Sequence, residues 1–382
     1  MSTDLVALDR VNTLAREGAA NTASAIERLT GEPARAALTD IRITRRESLD
    51  RRYETSDYVG VHADFSGHVD GTAVIAMESS DAKTVAKAVG AEEGLIDSGL
   101  ESMGSMAASS FVDVIANAAG SSIELEPPEL VDTDRARLIP ESAKYDEWIV
   151  TITSEFELPE RVLGLEVVIV PEQYSVVTAM DPSDGGTAAV EKLVAIGELT
   201  RDGAESAAEH VSMMTGFDAS VSVSRIRFAP IESIVEASDS GLAVGTVFEL
   251  EETPEGYFAL LFDEEAATRV ADAMLPDGIG DKPTWAGMGQ SAISELGNIV
   301  TSGFIDGWAD AMGGTLAHSP PSFVADDRVA LLSSLTSDLA TDEVAGVIVD
   351  AEVILEGGAV GCTLHALPTR DGLELALDRI VT

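Results

Sequence analysis

The chain repeats itself, and that limits what it can fold into more than any other feature of its sequence. Arg16-Glu17-Gly18-Ala19, followed by Thr30-Gly31, returns as Arg201-Asp202-Gly203-Ala204, followed by Thr215-Gly216, at an offset of 185 positions. The same offset carries Ile41-Arg42-Ile43 onto Ile226-Arg227-Phe228, Glu47-Ser48-Leu49 onto Glu232-Ser233-Ile234, and Gly71 onto Gly256. After an insertion near Leu275 to Gln290 the offset becomes 193, matching Pro127-Pro128 to Pro320-Pro321 and Asp134-Arg135 to Asp327-Arg328. At 197 it pairs Glu155, Gly164 and Pro171 with Glu352, Gly361 and Pro368. Self-similarity of this kind is read before any single motif, because it sets the domain count. The expectation is a tandem duplication, with repeats of residues 1–180 and 186–382 and Pro182-Ser183-Asp184-Gly185-Gly186 at the linker.

Each repeat reads as α+β, with helices packed on a largely antiparallel sheet. Residues 8–30 have helical spacing and end at Thr30-Gly31. Thr39 to Thr44, Tyr58 to Phe65 and Thr72 to Met77 are β-branched or alternating segments, with a turn at Gly67 to Gly71. Asp81 to Val89 and Glu101 to Ala119 read as helices, the second rich in small residues. Trp148 to Leu158 and Val162 to Val170 alternate like paired strands, and the second repeat follows the same order.

Charge narrows the function classes. The 382 residues hold 24 Lys plus Arg against 67 Asp plus Glu, a formal net charge of −43. That excludes nucleic-acid binding by phosphate neutralisation, where each contact needs a cation, and argues against docking on anionic lipid. With 45% hydrophobic residues the chain can still bury ordinary cores. Only five of the cations are lysines, namely Lys83, Lys87, Lys144, Lys192 and Lys282. Lysine depletion beside a carboxylate excess fits folding in multimolar salt, where the Debye length falls to about 3 Å and self-repulsion is screened; an acidic protein of ordinary salinity is the alternative. The one cysteine, Cys362, excludes an intrachain disulfide framework and a multi-cysteine metal site and sits in a strand-like run. His62, His68, His210, His318 and His365 show no metal-ligand spacing and read as structural or surface. Gly313-Gly314 reads as a helix stop. Without a membrane-length apolar run or a signal-peptide core after Met1, a cytoplasmic location is expected.

One stretch carries chemistry: Ser291-Ala-Ile-Ser-Glu295-Leu-Gly-Asn298-Ile-Val-Thr-Ser-Gly-Phe304. Glu295 and Asn298, at i and i+3, share a helical face, while Ile293, Leu296, Val300 and Phe304 pack on another. A carboxylate beside a carboxamide offers a cation acceptor and a group that both donates and accepts hydrogen bonds. Such a pair suits holding a water rather than forming a covalent intermediate.

Ser291, Glu295 and Asn298, followed after 22 residues by Pro321, reproduce the Asp/Ser-x3-Glu-x2-Asn-x22-Pro signature of the CheC-type phosphatases. The flanking Glu295-Leu-Gly-Asn-Ile-Val-Thr-Ser302 and His318-Ser-Pro-Pro321 also resemble that family, and the resemblance extends over almost the whole chain. The resemblance implies hydrolysis of the phospho-aspartate of the response regulator CheY. Asn298 would hold a water in line with the phosphoryl group, and Glu295 would pair with the regulator's lysine. No cofactor on this chain is implied; the magnesium belongs to CheY. Ser291 either lines the site or opens the helix as its N-cap, and Pro321 shapes the start of a strand. Members of the family also bind CheD, so CheD stands among the implied partners.

The departures are as informative. In the first repeat Ser102 and Ser105 stand where Glu295 and Asn298 do in the second, although Pro128 keeps its spacing. The upstream helices offer Thr13 and Arg16 in the first repeat and Glu198 and Arg201 in the second. An arginine at the amide position cannot accept a hydrogen bond from water, which leaves Glu198 as half of a second site or as a plain surface carboxylate. One complete site in four also fits a rival class, a scaffold binding CheY, CheD or archaellum-switch components, as the related switch protein FliM suggests.

Overall fold

The computed structural model describes residues 3–31, 33–45, 58–88, 95–132, 148–157, 164–171, 185–215, 219–230, 234–235, 238, 240–251, 255–275, 285–311, 314–339, 345–355 and 358–379. The chain divides into two compact units, Met1–Glu191 and Lys192–Thr382.

In the first unit, α1 (Thr3–Thr30) leads to β1 (Arg35–Arg45), β2 (Tyr58–Gly67) and β3 (Gly71–Glu78). Then come α2 (Ser79–Ala88), α3 (Ile96–Ala119), β4 (Ile123–Leu125), β5 (Glu129–Asp132), β6 (Trp148–Glu157) and β7 (Gly164–Pro171). The strands run β1-β6-β7-β3-β2 with every pairing antiparallel, and β4 and β5 both pair with β2. The α+β class and antiparallel sheet expected from the alternation are what form. β3, in the interior of the sheet, is buried along all but its last residue. α1 stops where Gly31 turns to φ +71 and its N–H reaches Glu27 O at 2.9 Å. α3 ends in the same way at Gly120, a left-handed cap that costs glycine no Cβ clash.

The second unit opens within α4 (Gly185–Thr215) and continues with β8 (Ser220–Pro230), β9 (Leu242–Leu250) and β10 (Gly256–Asp263). After these come α5 (Glu264–Met274), α6 (Met288–Ala311), β11 (Ser322–Asp327), α7 (Arg328–Asp338), β12 (Ala345–Leu355), β13 (Gly358–Pro368) and α8 (Arg370–Arg379). Its strand order, β8-β12-β13-β10-β9-β11, is again antiparallel throughout. It is the order of the first unit, with β8 in the place of β1 and β11 in the place of β5. Gly185 and Gly186, read from the sequence as linker, are the first two residues of α4. Glycine is tolerated there because the first N–H groups of a helix have no intrahelical partner to lose.

The repeat is visible in the packing as well as in the order of elements. A Cβ on Gly18 would stand 2.6 Å from Phe111, and one on Gly203 would stand 2.9 Å from Phe304 Cα. The first contact brings α1 onto α3 and the second brings α4 onto α6, at positions the duplication makes equivalent. Likewise a Cβ on Gly104 would meet Val61 at 2.5 Å, and one on Gly297 would meet Thr246 at 2.2 Å, so α3 and α6 each lie on the equivalent strand, β2 or β9, through a glycine. These close approaches explain the small-residue content of the third helix of each repeat, since nothing larger fits at such a crossing.

The buried polar groups differ between the units. In the first, Arg42 on β1 and Glu166 on β7 form an ion pair at 2.6 Å with both side chains under a tenth exposed. In the second, Arg227 on β8 meets Asp350 on β12 at 2.9 Å and is more open to water. His365 on β13 is buried with no partner at either ring nitrogen. Desolvation, with Arg227 and Arg328 adding repulsion, lowers its pKa from 6.5 to about 3, so it is neutral in the fold. Burial likewise pushes the Cys362 thiol up to about 12, which makes it an inert core group.

Candidate functional site

α6 carries the complete motif, and its burial pattern follows from the spacing of its residues. Ile293, Leu296, Val300 and Phe304 are fully buried. Near the far end Trp308 stacks edge-on against Phe258 of β10, with ring centroids 5.3 Å apart. The opposite stripe, Ser291, Glu295, Asn298 and Ser302, faces outward: Ser291 and Glu295 are exposed, Asn298 and Ser302 half-buried. Three residues at 100° each leave Glu295 and Asn298 about 60° apart around the axis, adjacent on one face. Between them Gly297 lies on Thr246, so the pair stands directly over the contact that seats the helix on β9. Neither side chain is tied up by a neighbour among the described residues. A free carboxylate and a free amide, held at fixed spacing on a rigid element, are available to a visiting molecule.

Ser291 is not the N-cap. α6 begins at Met288, three residues earlier, after Gly287 at φ +66. The Ser291 hydroxyl donates 3.0 Å to the carbonyl of Gly287, the residue before the helix, so it caps no N–H group and stands at the edge of the exposed stripe. Pro321 is half-buried and immediately precedes β11, in keeping with a shaping role there. The segment before it is clamped to the end of β9: Glu251 N–H donates to Ala317 O at 3.0 Å and Ser319 N–H to Glu249 O at 2.8 Å. His318 adds an edge-on contact with Phe248, ring centroids 5.4 Å apart. The His-Ser-Pro-Pro run is therefore an anchor for β11 against the strand that α6 covers. Gly314 N–H bonds to Ala309 O at 3.0 Å, which closes the end of α6 as a stop; Gly313 lies outside the described residues.

At the incomplete positions, Ser102 and Arg201 are already engaged. Ser102 is exposed on α3, and its hydroxyl donates 2.7 Å to Ser98 O of its own helix. Ser105 is half-buried and too short to reach where an Asn carboxamide would. Pro128 directly precedes β5, as Pro321 precedes β11. On α4, Glu198 is exposed, but Arg201 is drawn into ion pairs with Asp202 at 3.0 Å and Glu205 at 3.8 Å. The hydrogen bond to Asp202, first among the causes, raises the guanidinium pKa further above its ordinary value. Arg201 is thus a fixed cation, with no acceptor for water. Among the described residues no group of three or more His, Cys, Asp and Glu could hold a metal ion, and no helix is long and apolar enough to cross a membrane.

Missing from the sequence reading were the glycine contact that seats the pair and the residue that opens its face, Met288, which is 65% exposed. Spacing alone would have placed Met288 on the stripe, two turns before Glu295.

A sequence model of the CheC-like family matches residues 288–325, the segment from the start of α6 into β11. A Halobacterium salinarum protein named as a candidate CheY-P phosphatase, CheC1, is 32% identical over 179 residues, covering 47% of this chain and 91% of that protein. Among solved structures, Thermotoga maritima FliY is 22% identical with a TM-score of 0.42, covering 50% of this chain and 96% of that one. A chain of the Borrelia burgdorferi CheX-CheY-BeF3-Mg complex is 17% identical with a TM-score of 0.29, covering 40% of this chain and 94% of that one.

Proposed function

The chain belongs to the CheC-like family, and on that footing we propose that this chemotaxis protein hydrolyses the phospho-aspartate of the response regulator CheY at the Glu295–Asn298 face of α6. The observation that carries the proposal is the outward, unengaged presentation of this acid and amide side by side.

The chemistry asks little of the chain beyond placement. Phosphoryl transfer proceeds through a loose, in-line transition state, so a catalyst works mainly by positioning and charge stabilisation. The Asn298 carboxamide oxygen accepts a hydrogen bond from a water and aims the water oxygen at phosphorus, opposite the aspartyl oxygen. As the new P–O bond forms, the acyl-phosphate bond breaks, its electron pair stays on the regulator's carboxylate, and the water's proton leaves with inorganic phosphate. The Glu295 carboxylate pairs with a lysine of the regulator and fixes the docking register. Magnesium, where the reaction uses it, is held by the regulator, and no residue of this chain is assigned to it.

A mixture of phosphorylated CheY with this protein in high salt should lose its phosphate faster than CheY alone. Asn298→Ala should cut the acceleration by about 100-fold or more, the scale of a lost positioning group. Glu295→Ala should mainly raise the CheY concentration needed. Equal decay with wild type and both variants would remove the hydrolytic reading and leave the scaffold. The engaged Ser102 and Arg201 favour a scaffold role for those positions alone, with CheD or archaellum-switch proteins as further candidates for binding.

A further inference from the structure

Among the described residues five large apolar side chains are exposed: Leu95, Met213, Met288, Ile354 and Leu375. Leu95 and Met288 are the one pair among them that the duplication superposes, at the offset of 193 that also brings Gly104 onto Gly297 and Phe111 onto Phe304. Leu95 is 55% and Met288 65% exposed. Each stands at the start of the third helix of its unit, Leu95 as the N-cap of α3 and Met288 as the first residue of α6. Met288, Ser291, Glu295 and Asn298 follow one another along a single stripe, and Leu95, Ser98, Ser102 and Ser105 occupy the same places on α3. Helical side chains lean toward the N-terminus, so Met288 extends the Glu295–Asn298 face beyond the end of the helix.

Single exposed apolar side chains are ordinary, but one at the same place on the same helix of both units is available for burial against a partner, which is favourable. Glu295 and Asn298 give way to Ser102 and Ser105 in the first unit, but the exposed serine nearer the head, Ser291 or Ser98, and an apolar residue at the head itself are present in both. We propose that Leu95 and Met288 are equivalent docking anchors for phosphorylated CheY, so that the second unit binds and hydrolyses it while the first unit binds it without hydrolysis. The proposal rests on the reading of the Glu295–Asn298 face as the surface that meets CheY. The occupant follows from continuity: an anchor on the same stripe, two turns from Glu295, contacts whatever Glu295 contacts. In the first unit Ser102 is bonded to its own helix and Ser105 lacks an amide, so no water is held and the visitor leaves with its phosphate.

The full chain is titrated with CheY carrying beryllofluoride and magnesium, a stable mimic of the acyl phosphate, and stoichiometry is read by calorimetry. Two CheY per chain are expected. Leu95→Ser should reduce this to one, and Leu375→Ser, a control on α8, should leave it at two, with thermal unfolding checked for each variant. In turnover, Met288→Ser should raise the half-saturating concentration of phosphorylated CheY about ten-fold, with the maximal rate changed by less than about two-fold. A stoichiometry of one in the wild type, or two in Leu95→Ser, would overturn the proposal. So would self-association of the chain that Leu95→Ser or Met288→Ser abolishes, which would assign the anchors to a second copy. The hydrolytic reading fails separately, if Asn298→Ala decays phosphorylated CheY as fast as the wild type does.

Discussion

Gly297→Ala is the smallest change that tests whether the position of α6 sets the activity. The added methyl would stand 2.2 Å from Thr246 Oγ1, 2.6 Å from its Cγ2 and 3.0 Å from its Cβ. Rotating Thr246 cannot relieve this, because both branches of the side chain lie within reach and β-branched χ1 is stiff. A carbon–oxygen contact relaxes at about 3.3 Å, so the helix must lift from β9 by about 1 Å. Overpacking costs about 1–3 kcal/mol, and replacing a mid-helix glycine by alanine returns about 1 kcal/mol. The net loss of stability is therefore about 0–2 kcal/mol, a shift of a few degrees in melting temperature. Asn298 is the next residue and moves with the helix, and a misplacement of about 1 Å costs on the order of 100-fold in rate. Turnover of phosphorylated CheY should fall far more than stability does. Thr246→Ala removes the two nearest atoms, so the double variant should recover to within about ten-fold of wild type. Full activity in Gly297→Ala, or a double variant no better than the single one, would refute the claim that this contact positions the pair.

His365 predicts a pH dependence. The fold holds it neutral, with a pKa of about 3 against 6.5, so the unfolded chain takes up a proton first and stability falls as pH drops below 6.5. At pH 5 the loss is about 2 kcal/mol, and His365→Leu should abolish that part of the pH dependence of urea unfolding; parallel curves for the two proteins would contradict it. Arg42→Ala removes the ion-pair partner of the buried Glu166, and should cost about 3–5 kcal/mol. Arg227→Ala exposes a partner already nearer water and should cost less, so equal losses in denaturant melts would count against the difference in burial. With a net charge of −43, dilution from molar to millimolar salt should lower the melting temperature by restoring self-repulsion, and a salt-independent melt would show that the charges do not set stability.

What the sequence made legible and what it hid differ in range. Helices, strands and the face that carries Glu295 and Asn298 were readable because their periods of 3.6 and 2 are local properties of the chain. α1 begins at Thr3, five residues before the periodic stretch read from residue 8. The Ser291 cap reading failed because a serine followed by an apolar run looks the same whether it opens a helix or stands one turn inside it. The glycine contacts and the Arg42–Glu166 pair were hidden for another reason. Gly18 and Phe111, or Arg42 and Glu166, meet only after elements far apart in the chain have been brought together, and no local pattern encodes that meeting.

That division between framework and chemistry is physical. Gly18 and Gly203, and likewise Gly104 and Gly297, are equivalent in the two units because a Cβ at any of the four collides with a strand or with another helix. Glu295 and Asn298 answer to no such constraint: both lie on the outward stripe, and Ser102 and Ser105 occupy the same places on α3 with Gly104 still seated on Val61. The outward positions can therefore change without disturbing the seating. One framework thus admits a unit with the water-holding pair and a unit without it, and an apolar residue at the head of the stripe is among the outward features that both retain.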